Sequence, residues 1–344
     1  MKILVAPLNW GLGHASRCIP LVQRFLDEGH EVVLGGDGDS LTLLRKHFPT
    51  LRYVYLAPLR LRYSNGKRQV WAMVKAMPQI ISWTLKDHAM LKAVLQEEPF
   101  DQVVSDNRFG LYITPKHSFA QPSTVYITHQ LHIRLPRGWR WAESIATRLH
   151  AHIYARYNKV WIPDYKEKEK SLAGELSHPS PLNTQPSTLN TQPSTIIEYI
   201  GPLSRFSITS SLTRTLDPSY DIVAVLSGLE PQRTQLERQI VERYIGTKET
   251  VLIVQGLIGK PFLRVTHQNI TLVPYLKDAE LAQALCSASH IIARSGYSTI
   301  MDLAALDLLR TNVQRQKTND KNIELIPTPG QPEQEYLAAR WNNN

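Results

Sequence analysis

Short apolar runs alternate with helix-period stretches twice along this chain, on either side of a segment that can form neither, and this double alternation constrains the architecture most. In the first half, Lys2 to Pro7, Glu31 to Leu34, Leu51 to Leu56, Asp101 to Ser105, Thr124 to Thr128 and Lys159 to Ile162 read as strands. Ala15 to Glu28 reads as a helix stopped by Gly29. In the second half, the strands are Asp221 to Leu226, Glu249 to Gln255, Ile270 to Val273, His290 to Ala293 and Glu324 to Ile326. The helices there are Gln232 to Tyr244, Lys277 to Ser287 and Ser298 to Leu306. Such alternation builds parallel sheets covered on both faces, and two α/β units facing each other leave a cleft at the carboxyl ends of both.

Between the halves, Leu182 to Thr188 repeats residue for residue as Leu189 to Thr195, with a proline in each copy and almost no apolar content. Such a stretch cannot bury a face, and we read it as a disordered insertion. The expected boundaries are residues 1–164, a linker of 165–196, and 197–344. A length of 344 residues fits two such units.

Hydrophobic residues at 42% and charged residues at 20% are the balance of a soluble protein. The net charge of +9 permits attraction to phosphates or to an anionic membrane but identifies neither; no nucleic-acid partner is expected. The two cysteines, Cys18 and Cys286, lack metal-ligand spacing, so neither a metal site nor a disulfide framework is expected. With no signal pattern and no apolar run of roughly 20 residues, the expected compartment is the cytoplasm.

Trp10-Gly-Leu-Gly-His14 lies between the first strand and the first helix. Gly11 and Gly13 let the backbone approach a ligand. The rival dinucleotide fingerprint fails at Ser16, although Asp37 could serve it as a ribose acid. His14 can act as a general base near neutral pH, or it can simply start a helix. Asp106 could orient the His14 ring, or form a turn with Asn107. His129, after the next strand, is a third cleft candidate.

In the second half, Arg294-Ser295-Gly296 ends a strand and opens a helix, where N–H groups and the helix dipole favour a phosphate. Asp302 lies one turn after Ser298 and can accept hydrogen bonds from ribose hydroxyls, while Arg294 offers positive charge beside a diphosphate. Glu333 and Gln334 follow a Pro/Gly loop, where they can bind sugar hydroxyls. Ser227-Gly228, with Arg233 behind, is another N–H cradle. Any one of these loops by itself reads as a plain turn; three on one sheet edge read as an anion site.

At these residues the chain resembles a known family. Arg294-Ser-Gly-x-x-Thr-x-x-Asp302, with Thr299 inside it, and Pro329-Gly-Gln-Pro-Glu-Gln334 are similar to the C-terminal signature of the family 28 (MurG-like) glycosyltransferases. Gly11-Leu-Gly-His14 is similar to that family's first glycine loop. Ser227-Gly-x-Glu-Pro-Gln-Arg-Thr234 and Gly174-Glu-Leu-Ser-His-Pro179 resemble uncharacterised bacterial members of the group. The resemblance implies the GT-B fold: two Rossmann-like domains, the first taking the acceptor and the second the donor. It implies that His14 is the base and Asp106 its acid partner. Asp302 would contact the ribose, Arg294 and Ser295 the diphosphate side, Glu333 and Gln334 the donor sugar, and the backbone at Leu276 a uracil. The implied reaction inverts the anomeric centre without a metal or cofactor. The implied partners are a nucleotide-sugar donor and a glycan or lipid-linked acceptor.

Two departures from the family pattern are visible. A polar stretch, Leu309 to Asn322, interrupts the motif, and the sequence stops at Asn344 where relatives continue with a helix returning to the first domain. They leave open the alternative of a nucleotide-sugar-binding protein with little turnover; an epimerase of similar architecture would need more cleft acids. Val70, Met73, Val74, Met77, Ile81 and Leu85 follow helical spacing, with Trp71, Trp83, Lys67, Arg68, Lys75 and Lys86 around them and Pro78 as a kink. This row reads as a helix packed on the sheet with a solvated basic face. The resemblance also allows it to touch a membrane at the cytoplasmic inner face.

Overall fold

The computed structural model describes residues 1–59, 69–113, 121–179, 195–208, 220–228, 230–309 and 321–342, with backbone alone for 69–74. The tandem repeat through Ser194, Lys67, Arg68, the side chains of Val70, Trp71, Met73 and Val74, and residues 310–320 lie outside what is described.

The first sheet is parallel throughout, in the order β3-β2-β1-β4-β5-β6-β7. Its strands are β1 (Lys2–Pro7), β2 (Glu31–Gly36), β3 (Tyr53–Tyr55), β4 (Gln102–Asp106), β5 (Ser123–Ile127), β6 (Lys159–Ile162) and β7 (Ile196–Tyr199). Alternation along β1 sends Ile3 and Val5 to one face, under α1 (Leu12–Asp27) and α2 (Gly38–His47). Leu4 and Ala6 face the opposite layer, which holds Leu91 of α3 (Gln69–Glu97) and Tyr154 of α4 (Glu143–Tyr154).

The second sheet runs β10-β11-β9-β8-β12-β13. It comprises β8 (Ile222–Val225), β9 (Val251–Val254), β10 (Val265–His267), β11 (Ile270–Val273), β12 (His290–Arg294) and β13 (Asn322–Ile326). The β10–β11 pair alone is antiparallel. Its helices are α5 (Gln232–Tyr244), α6 (Asp278–Ser287), α7 (Tyr297–Ala305) and α8 (Pro332–Asn342). Strand order reverses between β1 and β4 in one sheet and between β8 and β12 in the other. Those are the switch points where open α/β sheets leave a crevice. The loops after these four strands carry Gly11–His14, Asn107–Arg108, Ser227-Gly228 and Ser295-Gly296.

The boundaries expected at 164 and 197 fall differently in the structure. Leu172, Ala173 and Leu176 belong to the second domain's core, while β7, a strand not expected from the sequence, completes the first sheet by pairing with β6. Leu203 and Phe206 then lie in the second core. The chain therefore passes between domains three times. Asp164, fully buried, fixes the first passage. Its carboxylate accepts from the Tyr165, Leu172 and Ala173 amides and from the Ser171 and Ser177 hydroxyls.

The expectation for α3 also needs correction. The helix runs through Pro78, but Met77, Ile81 and Leu85 do not face the sheet: they are 44%, 55% and 60% exposed. Trp83, Asp87 and Leu91 take the inward positions instead. The reason is electrostatic as well as steric. Fully buried Arg108 needs anionic partners, and Asp87 pairs with it at 2.6 Å while Asp37 does so at 3.0 Å. Trp83 donates its Nε1–H to the Ala57 carbonyl, which also accepts from Arg108. Asp37, a ribose candidate in the dinucleotide reading, is thus held by Arg108 and by Asn9.

Candidate active site

At the cleft edge of the first domain, Gly11 starts α1 with φ +86° and no side-chain cap. This backbone turn favours glycine and leaves the first amides of the helix facing the gap. One turn on, His14 is half-buried, with Nδ1 2.8 Å from Oδ1 of Asp106, the last residue of β4. Asn107 adopts φ +60° and turns the chain away just beyond it, a conformation that asparagine tolerates. The turn and the His14 contact, weighed against each other in the sequence, coexist.

Arg17, which the sequence reading missed, completes the cluster. Its Nε donates to Asp106 Oδ2 at 2.5 Å and its Nη2 to Asp106 Oδ1. The same Nη2 lies 2.9 Å from His14 Nδ1, and Nη1 lies 3.4 Å from His129 Nδ1. The signal was present: Arg17 is three residues after His14, on the same helix face. Burial raises the proton affinity of Asp106, but Arg17, together with His14, outweighs it and holds this carboxyl well below the usual range. Nδ1 of His14 therefore faces an acceptor-only carboxylate, Asp106, and a donor-only guanidinium, Arg17, at nearly equal distances, and both contacts fall on that one ring nitrogen. Burial, with Arg17 adding to it and Asp106 opposing, lowers the pKa of His14, so the ring is neutral near pH 7.

His129 connects the two domains. Its Nε2 lies 2.7 Å from Glu333 Oε1 at the start of α8, and Gln130 donates to the other Glu333 oxygen. The ring of Tyr297 stacks on His129 at 4.1 Å, and the Tyr297 hydroxyl donates to the Pro163 carbonyl. Burial pushes the Glu333 carboxyl up, but His129, then His14 and Arg17, bring it below its ordinary value. Glu333 therefore sits with the His14 cluster. Gln334 is engaged locally, accepting from the Thr328 amide and donating to the Gln331 side chain.

Across the gap, Gly13 faces the start of α7. The Ser298 hydroxyl donates to the Gly13 carbonyl at 2.8 Å, and a Cβ on Gly13 would lie 2.7 Å from that oxygen. Gly228, with φ +97°, faces Gly11, whose Cβ would come 4.0 Å from the Gly228 Cα. Two glycine loops, one per domain, thus meet over a cavity of about 380 Å³. Trp10, Gly11, Asp39, Ser227, Gly228 and Arg233 are among its lining residues. Arg233 pairs with Glu230 and Glu237.

Arg294 is 4% exposed and donates to the carbonyls of Pro327 and Gln232. Its Nε has no hydrogen-bond partner, and burial alone lowers its pKa. No carboxylate among the described residues forms a salt bridge with it. The Ser295 hydroxyl is bonded to the Gln334 carbonyl, Gly296 caps α7 with no acidic residue in its first turn, and Thr299 is half-buried. A built Cβ on Gly296 meets nothing within 4 Å. Asp302 is 8% exposed and accepts from Ser204 Oγ at 2.7 Å and Arg205 Nε at 3.3 Å. Burial raises its pKa, against Arg205. Ser204 and Arg205 were not anticipated from the sequence. The Leu276 side chain is in the second core.

Two Rossmann-like α/β domains facing a shared crevice constitute the architecture of the GT-B glycosyltransferases. The glycotransferase of kitacinnamycin is similar in structure, with a TM-score of 0.53 and 12% identity over 98% of this chain and 83% of that one. The spinosyn rhamnosyltransferase SpnG, in complex with thymidine diphosphate, gives 0.52 and 12% over 99% and 84%. UGT2 of Phytolacca americana, in complex with UDP-2-fluoro-glucose and pterostilbene, gives 0.52 and 13% over 98% and 82%. In sequence, an uncharacterised glycosyltransferase of Methanosarcina acetivorans is 24% identical over 346 residues, 98% of this chain and 83% of the relative. No family model matches the chain.

Proposed function

We propose that this protein is a glycosyltransferase that moves a hexose or N-acetylhexosamine from a nucleotide-diphosphate sugar, a UDP-sugar in the family 28 reading, to a glycan or lipid-linked acceptor. The observation that carries this reading is the facing of two unlike edges across one cleft. One has a neutral imidazole braced by an ionised carboxylate; the other has an uncapped helix start with a buried arginine that pairs with no carboxylate among the described residues. The first suits removal of a proton from a hydroxyl, the second a departing diphosphate.

In this mechanism the acceptor hydroxyl gives its proton to His14 Nε2 while its oxygen bonds to the anomeric carbon. The bond from that carbon to the diphosphate oxygen breaks on the opposite side, and its electron pair leaves with the phosphate, so the centre inverts. Arg294 and the amides at Gly296 and Ser227-Gly228 stabilise that charge, so the step needs no metal. Asp302 receives the ribose, the Leu276 backbone a uracil, and Glu333 and Gln334 the sugar hydroxyls.

A membrane-held acceptor fits the outer face of the first domain. On α3, Met77, Ile81 and Leu85 are exposed near Lys75 and Lys86. On and before α4, Trp141, Ile145 and Leu149 are 70%, 51% and 59% exposed, with Arg137, Arg140 and Arg148 beside them. Basic helices with apolar rows lie in the interface of anionic bilayers, which agrees with peripheral contact at a cytoplasmic surface. No helix among the described residues is long and apolar enough to cross a membrane.

The test is binding and transfer with labelled uridine- and other nucleotide-diphosphate sugars. Saturable donor binding with sugar appearing on an acceptor or on water is expected. Failure to bind every nucleotide-diphosphate sugar would remove the reading, and binding without turnover would favour a nucleotide-sugar-binding protein.

A further inference from the structure

Arg17 has no role in the resemblance or in the mechanism above, yet it touches Asp106, His14 and His129 at once. Buried to 2% exposure, it grips both oxygens of Asp106 and approaches His14 Nδ1 and His129 Nδ1 with its two terminal nitrogens. A planar fork against a carboxylate fixes orientation as well as charge. We propose that Arg17 is a positioning residue: by clamping Asp106 it fixes where the His14 ring sits, and by its charge it keeps that ring from taking a proton before the acceptor arrives. The inference rests on the glycosyltransferase reading for its consequence, although not for its geometry.

The charged and titratable groups around His14 come from four elements. They are Arg17 and Cys18 on α1, Asp106 at the end of β4, His129 after β5, and Glu333 at the start of α8. Asp106 and Glu333 are held below their usual range and stay ionised. Burial, together with Asp106, raises the Cys18 thiol, so it stays protonated. Arg17 disfavours the His14 cation and Asp106 favours it, so removing each should move the His14 midpoint in opposite directions.

The experiment follows the His14 imidazole by nitrogen-15 NMR across pH, with His14→Gln and His129→Asn for assignment, beside the pH profile of kcat/KM. In Arg17→Gln the His14 midpoint and the acid limb should both rise by about one pH unit. Transfer at pH 6 then falls more than at pH 8, by up to about sixfold. In Asp106→Asn the midpoint should fall, and the plateau rate should drop at every pH because the ring loses its anchor. Arg17→Lys keeps the charge but not the fork, so its midpoint should stay near wild type while the plateau rate falls about tenfold.

A folded Arg17→Gln with an unmoved His14 midpoint, or with a rate reduced equally at all pH values, would overturn the inference. If that variant does not fold, an Arg17→Lys protein with the wild-type plateau overturns it equally. Should wild type transfer no sugar at all, the functional reading fails, but the imidazole titration still decides the role of Arg17.

Discussion

Arg108 and Arg294 are both buried at the carboxyl edge of a sheet, and the two edges handle that charge in opposite ways. Arg108 has two carboxylates, Asp87 and Asp37, and two backbone carbonyls around it. Arg294 has two carbonyls and an unbonded Nε. The first charge is neutralised by the protein and brings together β1, β2, β4 and α3. The second has no carboxylate partner among the described residues and lies next in sequence to a helix start without a side-chain cap. A buried cation that its own chain leaves unpaired is costly, and a bound anion would offset that cost. One edge is finished in the free protein; in the proposed reading the other is completed by the donor's diphosphate.

The largest effect should come from the finished edge. His14→Ala is expected to reduce transfer by about 10²- to 10⁴-fold with donor affinity unchanged, as measured by calorimetry beside initial rates. Because the His14 pKa lies below its ordinary value of 6.5, the acid limb of wild-type kcat/KM should lie below pH 6.5, with the rate lost as pH falls through it. A limb above that value would mean a different base.

The contrast between the arginines can be broken directly. Arg108→Met should destabilise the fold by about 3–5 kcal/mol, since it strands Asp87 and Asp37, and urea unfolding would report it. Arg294→Met, which strands no acid, should leave unfolding nearly unchanged while nucleoside-diphosphate affinity drops about tenfold, roughly the value of one charge-assisted hydrogen bond. Equal destabilisation by the two substitutions would erase the distinction between the edges. The smallest effect is expected at Asp302. Its carboxylate already accepts from Ser204 and Arg205, so Asp302→Ala should weaken donor binding only about fivefold, near 1 kcal/mol, without unfolding. A loss of binding beyond a hundredfold would make the ribose contact dominant.

Much of this was legible in the sequence because the signals are local. β1, β6, β11 and α5 lie where the periodicity puts them, since a buried parallel strand is a compact apolar run between turn residues. β7 was missed because Ile196 and Ile197 sit on a sheet edge, 52% and 48% exposed, immediately after a polar repeat. β10 is a fully exposed three-residue edge strand without a hydrophobic face.

At the site, the sequence offered His14 and Asp106 as a pair, and His129 and Glu333 as separate candidates. Their meeting depends on loops from different strands and on both domains, which no spacing rule encodes. The orientation of α3 was misread for a related reason. The helix carries two apolar rows, and the choice between them depends on Arg108, more than ten residues beyond its end.

The threefold passage of the chain limits how this molecule can be dissected. A gene cut after Asp164 would deprive the amino-terminal piece of its last strand, and a cut at 197 would take Leu172 and Leu176 from the carboxyl-terminal one. Trp341 and Arg340 of α8 also bond to the carbonyls of Leu172 and Ser171, so that piece would be left with an unsealed end. The halves should melt in one transition rather than two, and any opening of the cleft to admit substrate is a flexing of interwoven layers instead of a swing about a single thread.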